Sequence, residues 1–338
     1  MRSIKEADII AGTIVLVRTD WNVPIKDGVI LDTSRIEASL QTINFALDKG
    51  AKVIVISHLG DGADSLEPVV KEAEKFFPNI RLRFVRDPWN ASSVDGKQAL
   101  ADLRGGEIAV LENLRFWMEK ENDEDFAKQL ASFADIYVND AFSVSHRKHT
   151  SIVKLPTFLA HFAGFHFLEE YKNLSSAFNP AHPFLFILGG AKFETKLPLV
   201  EKFLNIADTI FIGGTNAFQA LSLPISQNPK VILPVGDITA LDVNIETLEM
   251  LERKIQEAKF ILWNGPLGKY EDGYVAGTKK LAEMLNESGA KVVIGGGDTE
   301  NVIDELQIKN PNIFISLAGG AMLEFLSTGT LVGIEALE

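Results

Sequence analysis

Residues 184–196 read Phe-Leu-Phe-Ile-Leu-Gly-Gly-Ala-Lys-Phe-Glu-Thr-Lys, and this stretch decides the fold. The five apolar residues at its start predict a buried strand, and the spacing of residues 197–204 predicts a helix. A glycine pair therefore lies at the carboxyl end of a strand, followed by Lys192 and Lys196. Paired glycines let backbone N–H groups approach an anion closely, and a helix N-terminus favours negative charge. Lysines at this spacing repel each other unless an anion lies between them, so the stretch predicts a βα unit that binds a polyphosphate.

The same alternation of strand and helix recurs along the chain. Short apolar, β-branched runs predict strands at residues 14–17, 53–56, 82–85, 108–111, 136–138, 184–188, 209–212, 231–233, 259–263, 291–294 and 312–315. Helical patterns lie between most of them, at residues 34–49, 124–133, 248–257 and 275–286. So many strands exceed one open sheet, whereas two parallel sheets of about five or six strands are normal. The sequence therefore predicts an α/β protein with two doubly wound, Rossmann-like parallel-sheet domains.

A polar helical pattern at residues 167–176, followed by Asn179-Pro180-Ala181-His182-Pro183, marks the divide between the two halves. We predict an N-terminal domain over residues 1–164 and an interdomain hinge helix over residues 165–180. A C-terminal domain is predicted over residues 181–328, and residues 329–338 are predicted to form a segment that returns to the first domain.

The composition is that of an acidic protein of ordinary hydrophobicity. The 338 residues carry 46 acidic and 33 basic side chains, a net charge of −13, which argues against a nucleic-acid-binding face. Any anionic ligand must then be held by local clusters of Lys and Arg. The lack of cysteine excludes disulfides, Cys-ligated zinc and a thiol nucleophile, and it fits a cytoplasmic location. The first residues lack the apolar segment of a secretory signal, and no apolar run is long enough for a membrane span.

Arginine and histidine side chains recur just after the predicted strands of the first half. They occur within residues 18–22, 57–60, 112–115 and 139–147, and Arg35 lies near the start of the first predicted helix. Ligands of parallel sheets bind outside the carboxyl ends of the strands, so these side chains concentrate positive charge at one edge. Guanidinium groups bind carboxylate and phosphate bidentately, which suits a small phosphorylated acid. Each arginine alone is better explained as a surface or ion-pair residue, but the set favours a site.

The corresponding segments of the second half are rich in glycine. Glycines follow the predicted strands at residues 189–190, 213–214, 265–268, 295–297 and 319–320. Loops of this kind can surround a nucleotide with backbone N–H groups at little steric cost. Neither the P-loop nor the dinucleotide fingerprint is present in the sequence. Asp298 or Thr299 is a candidate helix N-cap, and Asp298 is also a candidate carboxylate for Mg²⁺ on nucleotide phosphates. The two roles are compatible, and the adjacent glycine triplet favours the metal.

Motifs at these strand ends resemble those of one family. Residues 15–24 (Val-Leu-Val-Arg-Thr-Asp-Trp-Asn-Val-Pro), 57–60 (Ser-His-Leu-Gly), 111–116 (Leu-Glu-Asn-Leu-Arg-Phe) and 138–147 are similar to the substrate-side motifs of phosphoglycerate kinases. Residues 188–192 (Leu-Gly-Gly-Ala-Lys), 263–266 (Trp-Asn-Gly-Pro) and 295–299 (Gly-Gly-Gly-Asp-Thr) are similar to the nucleotide-side motifs. The matches are collinear, so the chain resembles the phosphoglycerate kinase family over nearly its whole length.

The resemblance implies that the N-terminal domain binds 3-phosphoglycerate or 1,3-bisphosphoglycerate and that the C-terminal domain binds ADP or ATP with Mg²⁺. The implied glycerate residues are Asp20, Asn22, Arg35, His58, Leu59, Gly60, Arg115 and Arg147. The implied nucleotide residues are Gly190, Lys192, Lys196, Gly214, Glu271 (at the ribose), Gly296, Gly297, Asp298 (also on the metal) and Thr299. The implied catalytic residues are Arg35, Lys192 and Lys196. The resemblance also favours a monomer.

The implied reaction is the reversible transfer of a phosphoryl group from 1,3-bisphosphoglycerate to ADP. The attacking group, a carboxylate or a diphosphate, is already ionised, so positioning and charge neutralisation suffice without a general base. We therefore interpret His58, His146 and His149 as binding or packing residues. Because the two sets of residues lie on different domains, we expect the domains to close on each other before transfer.

The chain departs from the family pattern at several positions. Asp61-Gly62 follows His-Leu-Gly where the family usually has a basic residue and a proline, so an anion replaces a cation on the glycerate side. Residues 213–215 lack a third glycine, and residues 218–234 form a shorter stretch than usual, which affects the adenine side. An active kinase is the leading hypothesis, and the alternative is a kinase-derived protein that binds nucleotide or a partner without turnover. A nicotinamide dehydrogenase would also show the βα pattern, but the sequence lacks the dinucleotide fingerprint of that class of enzyme.

Overall fold

Two units make up the chain, and each is built on its own parallel β-sheet. The computed structural model describes residues 1–89, 96–117, 119, 123–191, 193–296, 299, 305–306 and 308–338. The first unit comprises Met1–Tyr171 and Thr330–Glu338, and the second comprises Lys172–Gly329. The change from one unit to the other falls inside a helix, Phe165–Ser175. The domain boundaries expected from the sequence, at residues 164, 180 and 328, stay a prediction.

The first unit holds a six-stranded parallel sheet and a small antiparallel hairpin. Its strands are β1 (Ile14–Arg18), β2 (Ile25–Lys26), β3 (Val29–Ile30), β4 (Lys52–Ile56), β5 (Leu82–Val85), β6 (Ile108–Leu111), β7 (Ile136–Asn139) and β8 (Ala160–Ala163). Its helices are α1 (Ser34–Ala38), α2 (Leu40–Asp48), α3 (Glu67–Ala73), α4 (Lys97–Ala101), α5 (Glu124–Ala131), α6 (Thr150–Val153) and the first part of α7 (Phe165–Ser175). The order of the sheet is β5-β6-β4-β1-β7-β8, and β2 pairs with β3.

The central strands of this sheet are buried on both faces, which explains their continuous apolar sequences. Val15 and Val17 of β1 and Val53 of β4 are inaccessible to solvent. They belong to one core with helix side chains such as Ile43 of α2. Parallel strands covered on both faces select β-branched residues, and their carboxyl ends all meet at one edge of the sheet.

The second unit is also built on a six-stranded parallel sheet. Its strand order, β11-β10-β9-β12-β13-β14, is that of a Rossmann sheet. Its strands are β9 (Phe184–Leu188), β10 (Thr209–Ile212), β11 (Val231–Ile232), β12 (Phe260–Asn264), β13 (Lys291–Gly295) and β14 (Ile313–Ser316). Its helices after α7 are α8 (Phe193–Phe203), α9 (Thr215–Leu221), α10 (Ile245–Glu257), α11 (Ala276–Glu287) and α12 (Gly320–Thr328). A last short helix, α13 (Val332–Glu335), belongs to the first unit. None of the helices in the described part of the chain is long and apolar enough to cross a membrane.

The predicted fold class, two doubly wound parallel α/β sheets, is confirmed. The sequence patterns miss β8, whose Ala-His-Phe-Ala sequence has no β-branched residue, and they miss the hairpin. The helix expected over residues 34–49 is interrupted at Ser39, whose hydroxyl donates to Ile36 O (2.7 Å) and accepts from the Trp21 indole N–H (2.9 Å). α8 begins at Phe193 rather than at residue 197, so Lys196 lies within it.

Candidate active site

Polar side chains gather at the carboxyl edge of the first sheet, which we call the first edge. Arg18 of β1 pairs with Asn139 of β7, and the Asp140 N–H donates to the Arg18 carbonyl oxygen (2.8 Å). This pairing brings the segments that follow the two strands together, residues 19–22 and residues 140–147. The winding of the sheet changes direction between these strands, and ligands of doubly wound sheets bind at such a point.

Asp20 lies at the centre of the first edge and is buried. Its carboxylate accepts hydrogen bonds from the Arg35 guanidinium and from the Ser143 hydroxyl. Burial alone would raise the pKa of Asp20, but the charge of Arg35 and the hydrogen bond from Ser143 outweigh burial and hold the pKa below its ordinary value. The Arg35 side chain remains 24% exposed. Asp20 therefore fixes the direction of Arg35, whose side chain is partly accessible to solvent.

His58 lies beside Asp20 and is uncharged. Its Nδ1 is 3.4 Å from Arg18 Nη2 and 3.7 Å from Asp20 Oδ1. Burial, followed by the charge of Arg18, lowers the pKa of His58 to about 3. Because a guanidinium can only donate, Nδ1 acts as the acceptor and the ring proton is assigned to Nε2. His58 therefore offers a neutral N–H donor to an anion and has no free ring nitrogen to accept a proton.

Arg18 itself is not part of the exposed first edge. Its guanidinium is buried, donates through Nε to Ser151 Oγ (3.0 Å) and lies 3.8 Å from Glu119 Oε2. Arg18 is therefore an internal ion-pair residue, the alternative that the sequence favoured for a single arginine. Glu119 neutralises this arginine inside the fold, so the pair supports His58 instead of facing a ligand.

The turn after β4 is held against the first edge by two amide side chains. Asn22 Oδ1 accepts from the Gly60 N–H (2.8 Å), and Asn113 Oδ1 accepts from the Leu59 N–H (3.2 Å). Asn113 also donates to the Leu59 carbonyl oxygen (2.8 Å). On the other side of the turn, Arg115 donates to the Gly60 carbonyl oxygen. These bonds fix the main chain of Leu59 and Gly60 and direct Arg115 alongside it.

Arg115 and Arg147 form the cationic part of the first edge. Burial, and then the neighbouring charge of Arg147, lowers the pKa of Arg115 from its ordinary range. An anion bound near these two guanidinium groups would offset this unfavourable charge. Asp61-Gly62, where the chain departs from the family pattern, lies next to Arg115. A Cβ on Gly62 would lie 3.0 Å from Arg115 Cβ, and the preceding Asp61 is exposed.

We call the carboxyl edge of the second sheet the second edge. There, backbone hydrogen bonds link the segments that follow the central strands. The Gly189 N–H donates to Asn264 O (2.8 Å), and the Gly190 N–H donates to Pro266 O (2.6 Å). A Cβ on Gly189 would lie 2.2 Å from Pro266 O, and one on Gly265 would lie 2.6 Å from Gly189 O. Close packing of β9 against β12 thus requires glycine at these positions.

Three glycines that the sequence assigns to a nucleotide adopt the left-handed backbone region. They are Gly190 (φ 77°), Gly214 (φ 60°) and Gly296 (φ 116°). A Cβ on Gly214 would lie 2.9 Å from Gly190 N, so the start of α9 packs directly on the turn after β9. Glycine is needed both for this backbone conformation and for this contact.

Lys196 projects from α8 toward the same turn and is 8% exposed. Its Nζ donates to the Gly189 carbonyl oxygen (2.9 Å), which also accepts from Asn216 Nδ2 (2.8 Å). Thr299 is buried as well, and its hydroxyl makes no hydrogen bond with the described residues. That hydroxyl would lie 3.5 Å from a Cβ on Gly296. A buried, unpaired hydroxyl beside a glycine turn suits an oxygen-rich ligand such as a phosphate.

Two adjoining cavities open at the second edge. The larger, about 300 Å³, is mainly apolar and is lined by Gly214, Thr215, Phe218, Gln219, Ile238, Thr239, Ala240, Leu241 and Lys269. The smaller, about 110 Å³, shares Thr215 and Lys269 with it and extends to Gly190 and Glu271. An apolar cavity that adjoins one containing Lys269 and Glu271 suits a flat ring attached to a sugar and phosphates.

Lys192, Gly297 and Asp298 lie outside the described residues. Within the described ranges, no group of three or more His, Cys, Asp or Glu side chains could hold a metal ion. Mg²⁺ on a nucleotide needs only one or two carboxylates in addition to phosphate and water oxygens. Asp298 supplies one carboxylate and precedes Thr299 in the sequence, so the residue types present fit that requirement by their chemistry.

Comparisons with known proteins decide the family. The family model described as phosphoglycerate kinase matches residues 4–231 and 225–329. The phosphoglycerate kinase of Borreliella afzelii (strain PKo) is 33% identical, with 100% of this chain and 99% of that protein covered. The phosphoglycerate kinase of Finegoldia magna is 35% identical, with 96% of each covered. The chain belongs to the phosphoglycerate kinase family.

Solved structures of family members agree with this assignment. Phosphoglycerate kinase from Coxiella burnetii matches with a TM-score of 0.82 and 28% identity, covering 99% of this chain and 98% of that one. The enzyme from Pyrococcus horikoshii OT3 matches with a TM-score of 0.89 and 26% identity, covering 100% and 98%. The resemblance drawn from the sequence motifs is therefore confirmed, and as a family member the chain is a phosphotransferase.

This member of the phosphoglycerate kinase family is shorter than its relatives. The alignment with the Borreliella afzelii protein spans 394 positions against 338 residues here, so more than fifty positions are missing. The two family-model matches overlap at residues 225–231, which places an interruption of the family pattern next to β11. Phe218 and Leu221 of the neighbouring helix α9 are exposed. The shortening therefore borders the apolar cavity.

All eight glycerate residues expected from the sequence lie at or beside the first edge, and the described nucleotide residues lie at the second. Other side chains that contact these residues or their neighbours were not singled out as site residues, among them Ser143, Asn113, Thr215 and Asn216. Ser143 and Asn113 lie within the quoted strand-end motifs, so their positions carried a usable signal. The sequence carried no signal for Asn216, because its contact with Gly189 arises only when α9 packs against the turn after β9.

Proposed function

We propose that this chain catalyses the reversible, Mg²⁺-dependent transfer of a phosphoryl group between 1,3-bisphosphoglycerate and ADP, giving 3-phosphoglycerate and ATP. Family membership supplies the reaction. The observation that carries the proposal is the assembly of anion-binding groups at the first edge around the ionised Asp20. A small acid with a carboxylate and a phosphate needs several converging cations, and this edge has them.

The first unit binds the glycerate in the proposed complex. Arg115 and Arg147, whose charges act on each other, bind the anionic groups of the glycerate. Arg35 is held by Asp20, and His58 adds a neutral Nε2–H donor. Asn22, Leu59 and Gly60 form the wall beside these cations, through the hydrogen bonds that fix the turn after β4.

The second unit binds the nucleotide. The apolar cavity beside Gly214 accepts the base, and Glu271 in the adjoining cavity hydrogen-bonds the ribose. The phosphates lie against the glycine turns and the unpaired Thr299 hydroxyl. The proposed phosphate contacts are Gly190, Lys192, Lys196, Gly296, Gly297 and Thr299.

We further propose that Asp298 holds Mg²⁺ on the nucleotide. When bound, the metal neutralises charge on the phosphate oxygens. The support is chemical: Asp298 is the carboxylate within a glycine-rich turn, adjacent in sequence to the buried hydroxyl of Thr299.

The chemistry assigned to the site requires no general base. Both possible attacking groups are ionised near neutral pH, and His58, with a pKa of about 3, stays neutral. Arg35, Lys192 and Lys196 neutralise the charge on the oxygens as the phosphoryl group passes. The glycerate and nucleotide residues belong to different units, so the scheme includes the closure expected from the sequence. Positioning and electrostatic stabilisation of this kind account for most of the catalysis in phosphoryl transfer.

A coupled assay tests the proposal. The full chain is mixed with 3-phosphoglycerate, ATP and Mg²⁺, and an excess of a dehydrogenase reduces the 1,3-bisphosphoglycerate while nicotinamide absorbance is followed. We expect turnover that needs all three components and that stops when EDTA removes the metal. A folded sample that binds ADP without turnover would contradict the proposal and support a binding protein instead. We also propose a cytoplasmic monomer, and light scattering of the purified chain tests its oligomeric state.

A further inference from the structure

The Gly189 carbonyl oxygen accepts two side-chain hydrogen bonds, and only one comes from a group assigned to catalysis. Lys196 Nζ donates to this oxygen at 2.9 Å, and Asn216 Nδ2 donates to it at 2.8 Å. Asn216 is fully buried in the first turn of α9. The carbonyl belongs to the turn after β9, where the backbone of Gly189 is already tied to Asn264 O (2.8 Å).

We propose that Asn216 is a positioning residue for Lys196, an inference that rests on the proposed function. The amide keeps the Gly189 carbonyl hydrogen-bonded while the Lys196 ammonium turns from that carbonyl toward the phosphoryl group in transfer. An ammonium has three N–H donors and can exchange partners, whereas a buried carbonyl left without a donor is costly. Asn216 removes this cost from the step in which Lys196 acts.

The surroundings of Asn216 support this role. Its bond to Gly189 is the only hydrogen bond that its side chain makes within the described ranges, and its buried Oδ1 has no partner there. A buried amide with an unpaired oxygen lowers stability, so packing alone gives no reason for this residue. The start of α9 is held in place independently of Asn216, because Gly214 packs on Gly190. Replacing the amide therefore leaves the frame of the turn intact.

The inference predicts an effect on catalysis that depends on Lys196. Without the amide, Lys196 is the side-chain donor that remains to the Gly189 carbonyl among the described residues, and it is held there more tightly. Turnover then falls, because the ammonium must leave an otherwise unpaired acceptor. Ground-state binding of the glycerate is unaffected, because no glycerate residue contacts Asn216. In a chain without the Lys196 ammonium there is nothing to release, so the amide no longer matters.

A double-mutant cycle tests the inference in the coupled assay. Asn216→Leu, which matches the amide in size, is made in the unsubstituted chain and in Lys196→Ala. We expect kcat to fall about ten- to a hundredfold in the first background and by less than about twofold in the second, with glycerate KM unchanged in both. Asn310→Leu is the matched control. Asn310 Nδ2 also donates to backbone carbonyl oxygens, those of Asn286 (2.9 Å) and Ser288 (3.0 Å), but it lies before β14, away from the second edge. It should alter stability without altering kcat.

Each outcome of the cycle has a defined meaning. Equal losses of kcat in the two backgrounds, or a loss that appears in glycerate KM, would overturn the inference and leave the proposed function standing. Lack of turnover in the unsubstituted chain would overturn the proposed function, and the inference with it. If Asn216→Leu does not fold, Asn216→Ala removes the same donor without adding a branched side chain and is judged by the same ratio.

Discussion

In the proposed function both edges of this molecule bind anions, but they are built from different chemical groups. The first edge uses side chains whose charges are balanced inside the fold, as Asp20 balances Arg35 and Glu119 balances Arg18. The second edge uses main chain, with β9 and β12 so close that a Cβ on Gly189 would lie 2.2 Å from Pro266 O. Within the described part of the second edge, Lys196 contributes a buried ammonium.

This difference teaches what each edge is sensitive to. An edge built from ionisable side chains responds to pH and to changes of charge, because its groups hold one another in particular protonation states. An edge built from glycine backbone responds to added atoms, because there is no room for a side chain. The two edges should therefore respond differently to substitutions that add one methyl group and to substitutions that change one charge.

The largest effect is expected from adding a methyl group to the second edge. In Gly189→Ala, the new Cβ would meet Pro266 O at 2.2 Å and Gly265 O at 2.5 Å, so β9 and β12 must separate. We expect loss of nucleotide binding and a free energy of unfolding lower by about 3 kcal/mol or more. ADP titration and thermal denaturation measure the two effects. Gly289→Ala in the same unit, where a Cβ meets nothing within 4 Å, is the control and should behave as the unsubstituted chain. Normal ADP binding by Gly189→Ala would break the comparison.

The next effect concerns the buried ammonium of the second edge. In Lys196→Ala we expect kcat to fall by about a hundredfold or more, because loss of one group that stabilises a transition state typically costs this much. The KM for 3-phosphoglycerate should change by less than about threefold, since the glycerate residues lie on the other unit. Lys202→Ala, on the same helix, removes the same charge from a lysine whose Nζ lies over the Phe178 ring (4.5 Å) and serves as the control. Equal losses in kcat and in glycerate binding would show that Lys196 is not on the transfer path.

The sensitivity of the first edge to pH can be read at Asp140. Its Oδ1 accepts from the Phe167 N–H (3.1 Å), and burial raises its pKa to about 7. In the folded protein the carboxyl keeps its proton up to about pH 7, whereas the unfolded chain loses it near the ordinary value of 3.8. The stability that this group contributes is therefore complete below about pH 4 and is lost as the pH rises through 7.

Asp140→Asn should remove this loss, because an amide does not titrate. Relative to the unsubstituted chain, we expect the variant to gain about 2 kcal/mol of unfolding free energy between about pH 5 and pH 8. Urea denaturation followed by tryptophan fluorescence measures it, since Trp21, Trp89 and Trp117 all belong to the first unit. A difference between variant and parent that is the same at both pH values would contradict the assigned protonation of Asp140.

Much of the fold was predictable because buried parallel strands leave a direct trace in sequence. The strands Ile108–Leu111 and Phe184–Leu188 were predicted to the residue, since each is an apolar run that ends where polar residues or glycine begin. β8 was not predictable in this way. Its alanines and histidine form a strand only because β7 is beside it to pair with.

For the candidate site, the sequence indicated which side chains lie at each edge but not their state. The neutrality of His58 depends on burial and on Arg18, and the burial of Arg18 depends on Glu119, about a hundred residues away in the chain. No local pattern encodes such a contact. The role of Asn216 likewise depends on α9 packing against the turn after β9. Residue types at strand ends follow from topology, whereas protonation and partners follow from packing between distant segments.

The smallest effect is expected where the first edge departs from its family. Asp61 is exposed, and the Gly62 that follows it packs against Arg115, one of the cations proposed to bind the glycerate. Asp61→Arg should lower the KM for 3-phosphoglycerate about three- to fivefold at low salt, with kcat unchanged, because an exposed charge acts weakly through solvent. Added salt should remove most of the gain, which separates a long-range field from a direct contact. Asp48→Arg, at the end of α2 before β4, makes the same change of net charge away from the first edge and should leave KM unaltered. An unchanged KM in Asp61→Arg would mean that the buried ion pairs, and not the exposed charges, set the affinity of the first edge.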